Sequence, residues 1–316
     1  MKPSNKLITA LLLSSGAAAG IAAINKYIKV SAVSKNLLQQ PNPHCYRWRF
    51  GNIYYTKEGT GKPLLLLHDL NYFSSGCEWE SLIPTLKKHY TVYTVDLLGC
   101  GRSEKPNLTY TNFLYVQLLS DFIQSEIGRR TSVIATGASA PLVIMTCGYR
   151  SDLFDQLLFI NPESFASCSQ IPGKYSKLYK WILDAPILGT LLYHFASTKK
   201  NLEQLFQTEY FYNPYSVKPS WVEKYYESAH LGDFPKAVYS SIQCNYTKCS
   251  ISRTLEQINN SIYILTGEEK ANAQGIVKEY LECNPAIESG TIPKTRHLPQ
   301  LEKPEEVCRI IDMFFG

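Results

Sequence analysis

This chain predicts an α/β fold in which a mostly parallel sheet is covered by helices on both faces. Three observations carry that expectation. Short apolar runs alternate with helix-like segments, which is the rhythm of strand–helix–strand units. Several of the runs are continuously apolar, as strands buried on both faces require. And in Thr136-Gly137-Ala138-Ser139-Ala140-Pro141 a serine is squeezed between an apolar run and the next helix-like segment. With 316 residues, 45% of them hydrophobic and 19% charged, the chain can hold one large domain with an inserted subdomain.

The elements follow in order. Residues 1–29 read as an N-terminal membrane anchor or signal segment. Leu7–Asn25 is uncharged between Lys6 and Lys26, long enough to span a bilayer as one helix. The rival reading is a cleaved signal peptide, with Ala17-Ala18-Ala19 as the cleavage site and secretion as the outcome. Residues 30–45 read as a polar linker ending in Gln40-Pro41-Asn42-Pro43. The first part of the core, residues 46–162, opens with a hairpin-like pair turning at Gly51. Leu64-Leu65-Leu66-Leu67 is then a buried strand, followed by a helix over 79–88 and a strand over 91–97. A helix over 113–127, the strand 131–135, the helix after Ser139 and a strand over 156–160 complete this part.

Over residues 163–256 the alternation stops. The segment is helix-like and aromatic, with Tyr175, Trp181, Tyr210 and Trp221 among its rings. A helical insertion between two strands is expected to lie as a lid over the C-terminal edge of the sheet, where ligands bind in open parallel sheets. The rhythm resumes in the second part of the core, residues 257–316. It holds strands over 261–265 and 287–292 and a last helix over 305–315, bringing the strands to eight.

Composition narrows the function classes. The net charge of +5 comes without a dense basic patch interleaved with aromatics, so nucleic acid is not an expected partner. Nine cysteines, an odd number without a CxxC pair, read as buried or free thiols and not as a disulfide frame. No cluster has metal-ligand spacing and no glycine-rich phosphate loop joins a strand to a helix, so no metal or cofactor is expected.

The serine at the strand–helix junction is the strongest chemical signal. Its hydroxyl would be exposed on a sharp turn, with Gly137, Ala138 and Ala140 allowing the backbones to approach. The free N–H groups of the following helix would face a developing oxyanion. The same serine could instead be the N-cap of that helix.

Four ordered segments together resemble the α/β-hydrolase superfamily, of the lid-containing serine hydrolase type. They are Leu64–His68 followed by Trp79, Asp96-Leu97-Leu98-Gly99-Cys100-Gly101-Arg102-Ser103, the turn at Ser139, and His297-Leu298-Pro299 leading into the last helix. The resemblance covers residues 46–316 and implies an eight-stranded, mostly parallel sheet with a helical lid before the last two strands.

It also implies roles. Ser139 becomes the nucleophile and His297 its general base, with the backbone N–H groups of Leu70 and Ala140 as oxyanion donors. His68, Asp96 and Arg102 become structural. Cys100 in that loop reads either as an exposed, reactive thiol or, as a lone thiol more often is, as an incidental one. The acid position after Gly267 holds Lys270, so Glu269 is the substitute acid, with Glu268 and Glu163 as alternatives. Asp69 and Arg296 stand where the family has glycines, and a charge pair between them is one reading.

The expectation is a membrane-tethered serine hydrolase that cleaves an ester or related acyl bond of a small apolar substrate through an acyl-serine. The alternative is a catalytically impaired relative that binds a ligand or partner through its lid.

Overall fold

The computed structural model describes residues 5–40 and 43–316. Pro41 and Asn42 of the expected linker lie outside the described residues. The strands are β1 (His44–Trp48), β2 (Gly51–Glu58), β3 (Lys62–Leu67), β4 (Tyr90–Val95), β5 (Thr131–Thr136), β6 (Phe154–Ile160), β7 (Ile262–Gly267) and β8 (Glu288–Ile292). They form one sheet in the order β1-β2-β4-β3-β5-β6-β7-β8. The β1–β2 and β2–β4 pairs are antiparallel and all others are parallel.

The leucine run shows why the parallel strands are continuously apolar. Side chains alternate between the faces of a strand. Leu65 and Leu67 therefore pack with Val133 and Ala135 on one face, while Leu64 and Leu66 pack with Ile134 and Leu158 on the other. Both faces are dry, so no position in β3 after its first can be polar.

Helix α1 (Asn5–Val33) precedes the sheet. Within the core come α2 (Ile83–Leu86), α3 (Asn112–Phe122) and α4 (Ser139–Tyr149). Between β6 and β7 the described residues form α5 (Phe165–Cys168), α6 (Ser176–Asp184), α7 (Leu188–Ala196), α8 (Lys199–Leu205), α9 (Pro219–His230), α10 (Pro235–Gln243) and α11 (Ser252–Gln257). After β7 come α12 (Ala273–Cys283), α13 (Pro299–Glu302) and α14 (Pro304–Phe315).

The expected membrane anchor is corrected by α1. Among the described residues no helix is long and apolar enough to cross a membrane. Helix α1 runs unbroken through Ala17–Ala19 and beyond Asn25 to Val33, so its second half carries Asn25, Lys26 and Lys29. That half docks on the helical insertion. Asn25 is buried and donates to the Ile187 carbonyl, Lys29 lies 3.7 Å from Asp233, and Lys35 just beyond the helix pairs with Glu223 at 2.8 Å. The C-terminal half of α1 thus makes polar contacts with protein through Asn25 and Lys29.

The loop after β4 is held by a buried ion pair. Asp96 accepts from Arg102 Nε at 2.6 Å and Nη2 at 2.9 Å, from Arg102 N–H at 2.8 Å, and from Gly76 N–H at 2.6 Å. Burial raises the Asp96 carboxyl, but the Arg102 guanidinium holds it below the usual range. Arg102 also lies over the Tyr54 ring, 4.0 Å from its centroid. Asp96→Ala would strand this guanidinium, and chemical denaturation should record a loss of about 3 kcal/mol. Cys100 in the same loop is fully buried, and burial pushes its thiol up to about 12. Of the two readings of this thiol the burial fits the incidental one, since the nucleophilic thiolate is suppressed.

Candidate active site

The C-terminal ends of β3, β5, β6, β7 and β8 converge on one cavity of about 290 Å³, which Asp69, Gly137, Asn161, Lys270 and His297 line. The turn after β5 decides its chemistry. Strand β5 ends at Thr136, and the left-handed residue that reverses the chain is Gly137, with φ +52°. Helix α4 starts at Ser139, two residues beyond this apex. Ser139 is fully buried, and its Oγ donates to the His68 carbonyl at 2.6 Å. It does not line the cavity, whereas Gly137 and Ala138 do.

What fills the place of a side chain at the apex is Asp69. A Cβ at position 137 would stand 2.4 Å from Asp69 Oδ1 and 2.6 Å from its Cγ. Oδ1 accepts the Ala138 N–H at 2.8 Å, and Oδ2 lies 3.2 Å from His297 Nε2. Burial alone would raise this carboxyl; the His297 hydrogen bond and charge, the Ala138 N–H and the Lys270 ammonium hold it below the usual range. An aspartate at 69 and a glycine at 137 are thus a single arrangement, since the carboxylate fits only because the apex has no Cβ. The pairing imagined between Asp69 and Arg296 is absent, as Arg296 Nη1 donates to the Thr208 carbonyl.

His297 is 6% exposed and carried by the loop between β8 and α13. Its N–H donates to the Tyr210 carbonyl at 3.1 Å, and the Tyr210 ring sits 4.6 Å from the imidazole. Asn161, left-handed at the end of β6, accepts the Gly267 N–H and donates to the carbonyls of Arg296 and His297. It clamps the ends of β6 and β7 to the histidine loop, a role its sequence position did not announce. Burial lowers the His297 pKa, Asp69 raises it and Lys270 lowers it, with a net fall below the ordinary histidine range. Facing an ionised carboxylate, Nε2 carries the proton of the neutral ring. Nδ1 is buried without a hydrogen-bond partner among the described residues.

None of the three candidate acids pairs with the imidazole. Glu268 accepts from the Lys294 N–H and is exposed; Glu269 is exposed, and its backbone N–H donates to the Thr295 carbonyl; Glu163 pairs with Lys248. Ala140 N–H donates to the Gly137 carbonyl at 3.2 Å within the first helical turn. The backbone donor directed at the site is that of Ala138, and Leu70 borders the cavity.

Two further buried groups complete the site. His68 accepts the Leu97 N–H at Nε2, so its proton lies on Nδ1, which contacts the Asp69 carbonyl at 2.7 Å. Burial keeps this ring neutral, consistent with a supporting role. Glu78, fully buried, accepts from the Asp69 N–H and from Gln300. Burial first, and then the Asp69 charge, push its carboxyl up to about 8, so it stays protonated at neutral pH beside an ionised neighbour. A carboxyl raised in the fold contributes stability that is full below its unfolded pKa and is lost as pH rises through about 8.

A family profile described as "Alpha/beta hydrolase family" matches residues 64–310. A 2-hydroxy-6-oxo-6-(2'-aminophenyl)hexa-2,4-dienoic acid hydrolase of Metapseudomonas resinovorans is 36% identical over 75 residues, 22% of this chain and 25% of the relative. A soluble epoxide hydrolase of Corynebacterium sp. (strain C12) is 44% identical over 54 residues, 17% of this chain and 18% of the relative. The matches thus span a quarter or less of these relatives' lengths. Among solved structures, a carboxylesterase of Bacillus subtilis superposes with a TM-score of 0.68 at 15% identity, covering 94% of this chain and 98% of that one. A meta-cleavage product hydrolase of Pseudomonas fluorescens IP01 gives 0.68 at 17% identity, covering 84% and 94%. At such identities the likeness shows the fold.

Proposed function

This chain belongs to the alpha/beta hydrolase family, and we propose that within it the reacting group is the Asp69 carboxylate and not a serine hydroxyl. The observation that carries this reading is the seat of Asp69. One oxygen lies on the N–H after the turn apex, the other lies against His297 Nε2, and the carboxylate fills the space of the missing apex side chain.

In the proposed reaction Asp69 Oδ2 attacks an electrophilic carbon of a small substrate such as an epoxide. The carbon–oxygen bond opens, the leaving oxygen takes a proton from solvent, and an aspartyl ester remains. Esterification removes the charge that holds the proton on Nε2, so the neutral ring can change tautomer, with its proton on Nδ1, and present its Nε2 lone pair to water. Water then attacks Cγ while His297 takes its proton, and Ala138 N–H stabilises the oxyanion at Oδ1. Collapse breaks the Cγ–Oδ2 bond, the departing alkoxide oxygen takes the proton back from His297, and loss of the remaining carboxyl proton to solvent restores the carboxylate. The local likeness to an epoxide hydrolase supports this class of substrate.

The acyl-serine route needs Ser139 Oγ to leave the His68 carbonyl, and Ser139 does not line the cavity. A second reading, a ligand-binding relative with little turnover, is favoured by His297 Nδ1, which has no partner among the described residues, and by Lys270 at the acid's place. A fluorophosphonate probe, p-nitrophenyl acetate and 1,2-epoxybutane separate the three. The proposal expects epoxide hydrolysis and no adduct on Ser139. Turnover should stay within about twofold in Ser139→Ala, while loss of the buried hydrogen bond costs about 1 kcal/mol of stability. An adduct on Ser139 would restore the serine reading. No turnover of either substrate by folded protein would favour the binding one.

A further inference from the structure

Four charged side chains line the cavity, and three of them are already matched. Asp69 is held by Ala138 N–H and His297, and Glu163 is paired with Lys248, which also donates to Ser167 Oγ. Lys270 is the fourth. It has no ion pair within 4.0 Å among the described residues, although Asp69, Glu209 and Glu163 act on it at longer range. It is half-buried, and burial depresses its pKa more than these carboxylates restore it. A second polar group on the same wall lacks a partner as well. His297 is more than nine-tenths buried, and its Nδ1 makes no hydrogen bond to a described residue.

A cation partly withdrawn from water without a direct ion-pair contact is costly, and a cavity that keeps one can receive an anion. The two ammoniums and two carboxylates on the walls balance in number, but Lys270 is the cation among them without a direct ion-pair contact, and the two carboxylates would repel a dianion. We infer that Lys270 anchors a singly charged carboxylate group of the ligand, so the cavity selects small carboxylate-bearing molecules over their neutral analogues. Lys270 stands where the family resemblance leads one to expect the triad acid. The sign of the charge there is reversed, and the position turns from orienting the imidazole to binding the ligand. Ser164, Ser167 and Thr247 also line this cavity, so its polar wall suits such a ligand better than the apolar substrate expected from the sequence. This inference deepens the proposed function but does not need Asp69 to react.

The test is calorimetric titration of the full chain with butyrate and with butyramide, a neutral analogue of the same size. Butyrate should bind about tenfold tighter or more, as a charge-assisted contact in a shielded site allows. Lys270→Met should bring the two ligands to parity, Lys270→Arg should keep the preference for butyrate, and Ser139→Ala should leave it unchanged. Equal binding of both ligands by the wild-type chain would overturn the inference, even if a lysine variant failed to fold. So would an undiminished preference in Lys270→Met. Hydrolysis that proves independent of Asp69 while the preference persists would sink the reaction scheme and leave this site standing.

Discussion

Gly137→Ser is expected to destabilise the protein by roughly 4–6 kcal/mol, although it restores a hydroxyl at the turn apex. The backbone there is left-handed, with φ +52°, which costs any side chain about 1 kcal/mol or more. The new Cβ would also meet Asp69 Oδ1 at 2.4 Å and Oδ2 at 3.0 Å. The carboxylate must leave the Ala138 N–H and His297 Nε2, so a buried charge loses both its partners. Such losses cost about 3–5 kcal/mol. Urea unfolding measures the effect. Because the two positions share one space, Asp69→Gly added to Gly137→Ser should recover about 2 kcal/mol or more of the deficit, a non-additivity expected of residues in contact. The double variant should also acquire fluorophosphonate labelling at position 137, beside His297. A single variant as stable as the wild type would mean that Asp69 does not hold the apex space.

Asp69→Asn is expected to lower turnover by roughly 10⁴ while leaving most of the fold's stability intact. The amide oxygen can still accept the Ala138 N–H, but it is a poor nucleophile and no longer an ion facing Nε2. The wild-type pH dependence follows from the same pair. Asp69 has its carboxyl lowered in the fold, so its contribution is fully present above the unfolded carboxyl pKa and is lost as pH falls through the folded one. Acid unfolding of Asp69→Asn should lack that component. Turnover should likewise fall on the acid side as His297 takes up a second proton, below the ordinary histidine range. A rate that keeps rising below that range would remove the imidazole from the proton transfer.

Much of the fold was legible because its signals are local. The leucine run of β3 cannot be solvated on either face, and the motif carrying Asp96 and Arg102 closes on itself within a few residues. The site was less legible because it turns on register and on distant pairs. Ending β5 at Ala135 instead of Thr136 moved the expected apex, and the left-handed backbone of Gly137 leaves no separate mark in composition. Asp69 and His297 are 228 residues apart, so the meaning of an aspartate in a glycine's place appears only when both reach the same edge of the sheet. One available signal was the coincidence of Asp69 with a glycine two residues before the serine. Lys270 was visible as a departure from the family pattern, yet the cavity it faces was not. The uncharged stretch Leu7–Asn25 looks like a span on its own, but it continues into the polar half of α1 that docks on the insertion.

The seat of the carboxylate is tested most directly by a single turnover of 1,2-epoxybutane with enzyme in excess, run in water enriched in heavy oxygen, followed by mass spectrometry of the peptide containing Asp69. One heavy oxygen should be incorporated into the Asp69 carboxylate, and none should appear at Ser139. Turnover that leaves Asp69 unlabelled, with the heavy oxygen passing straight into the product, would contradict the proposed reaction.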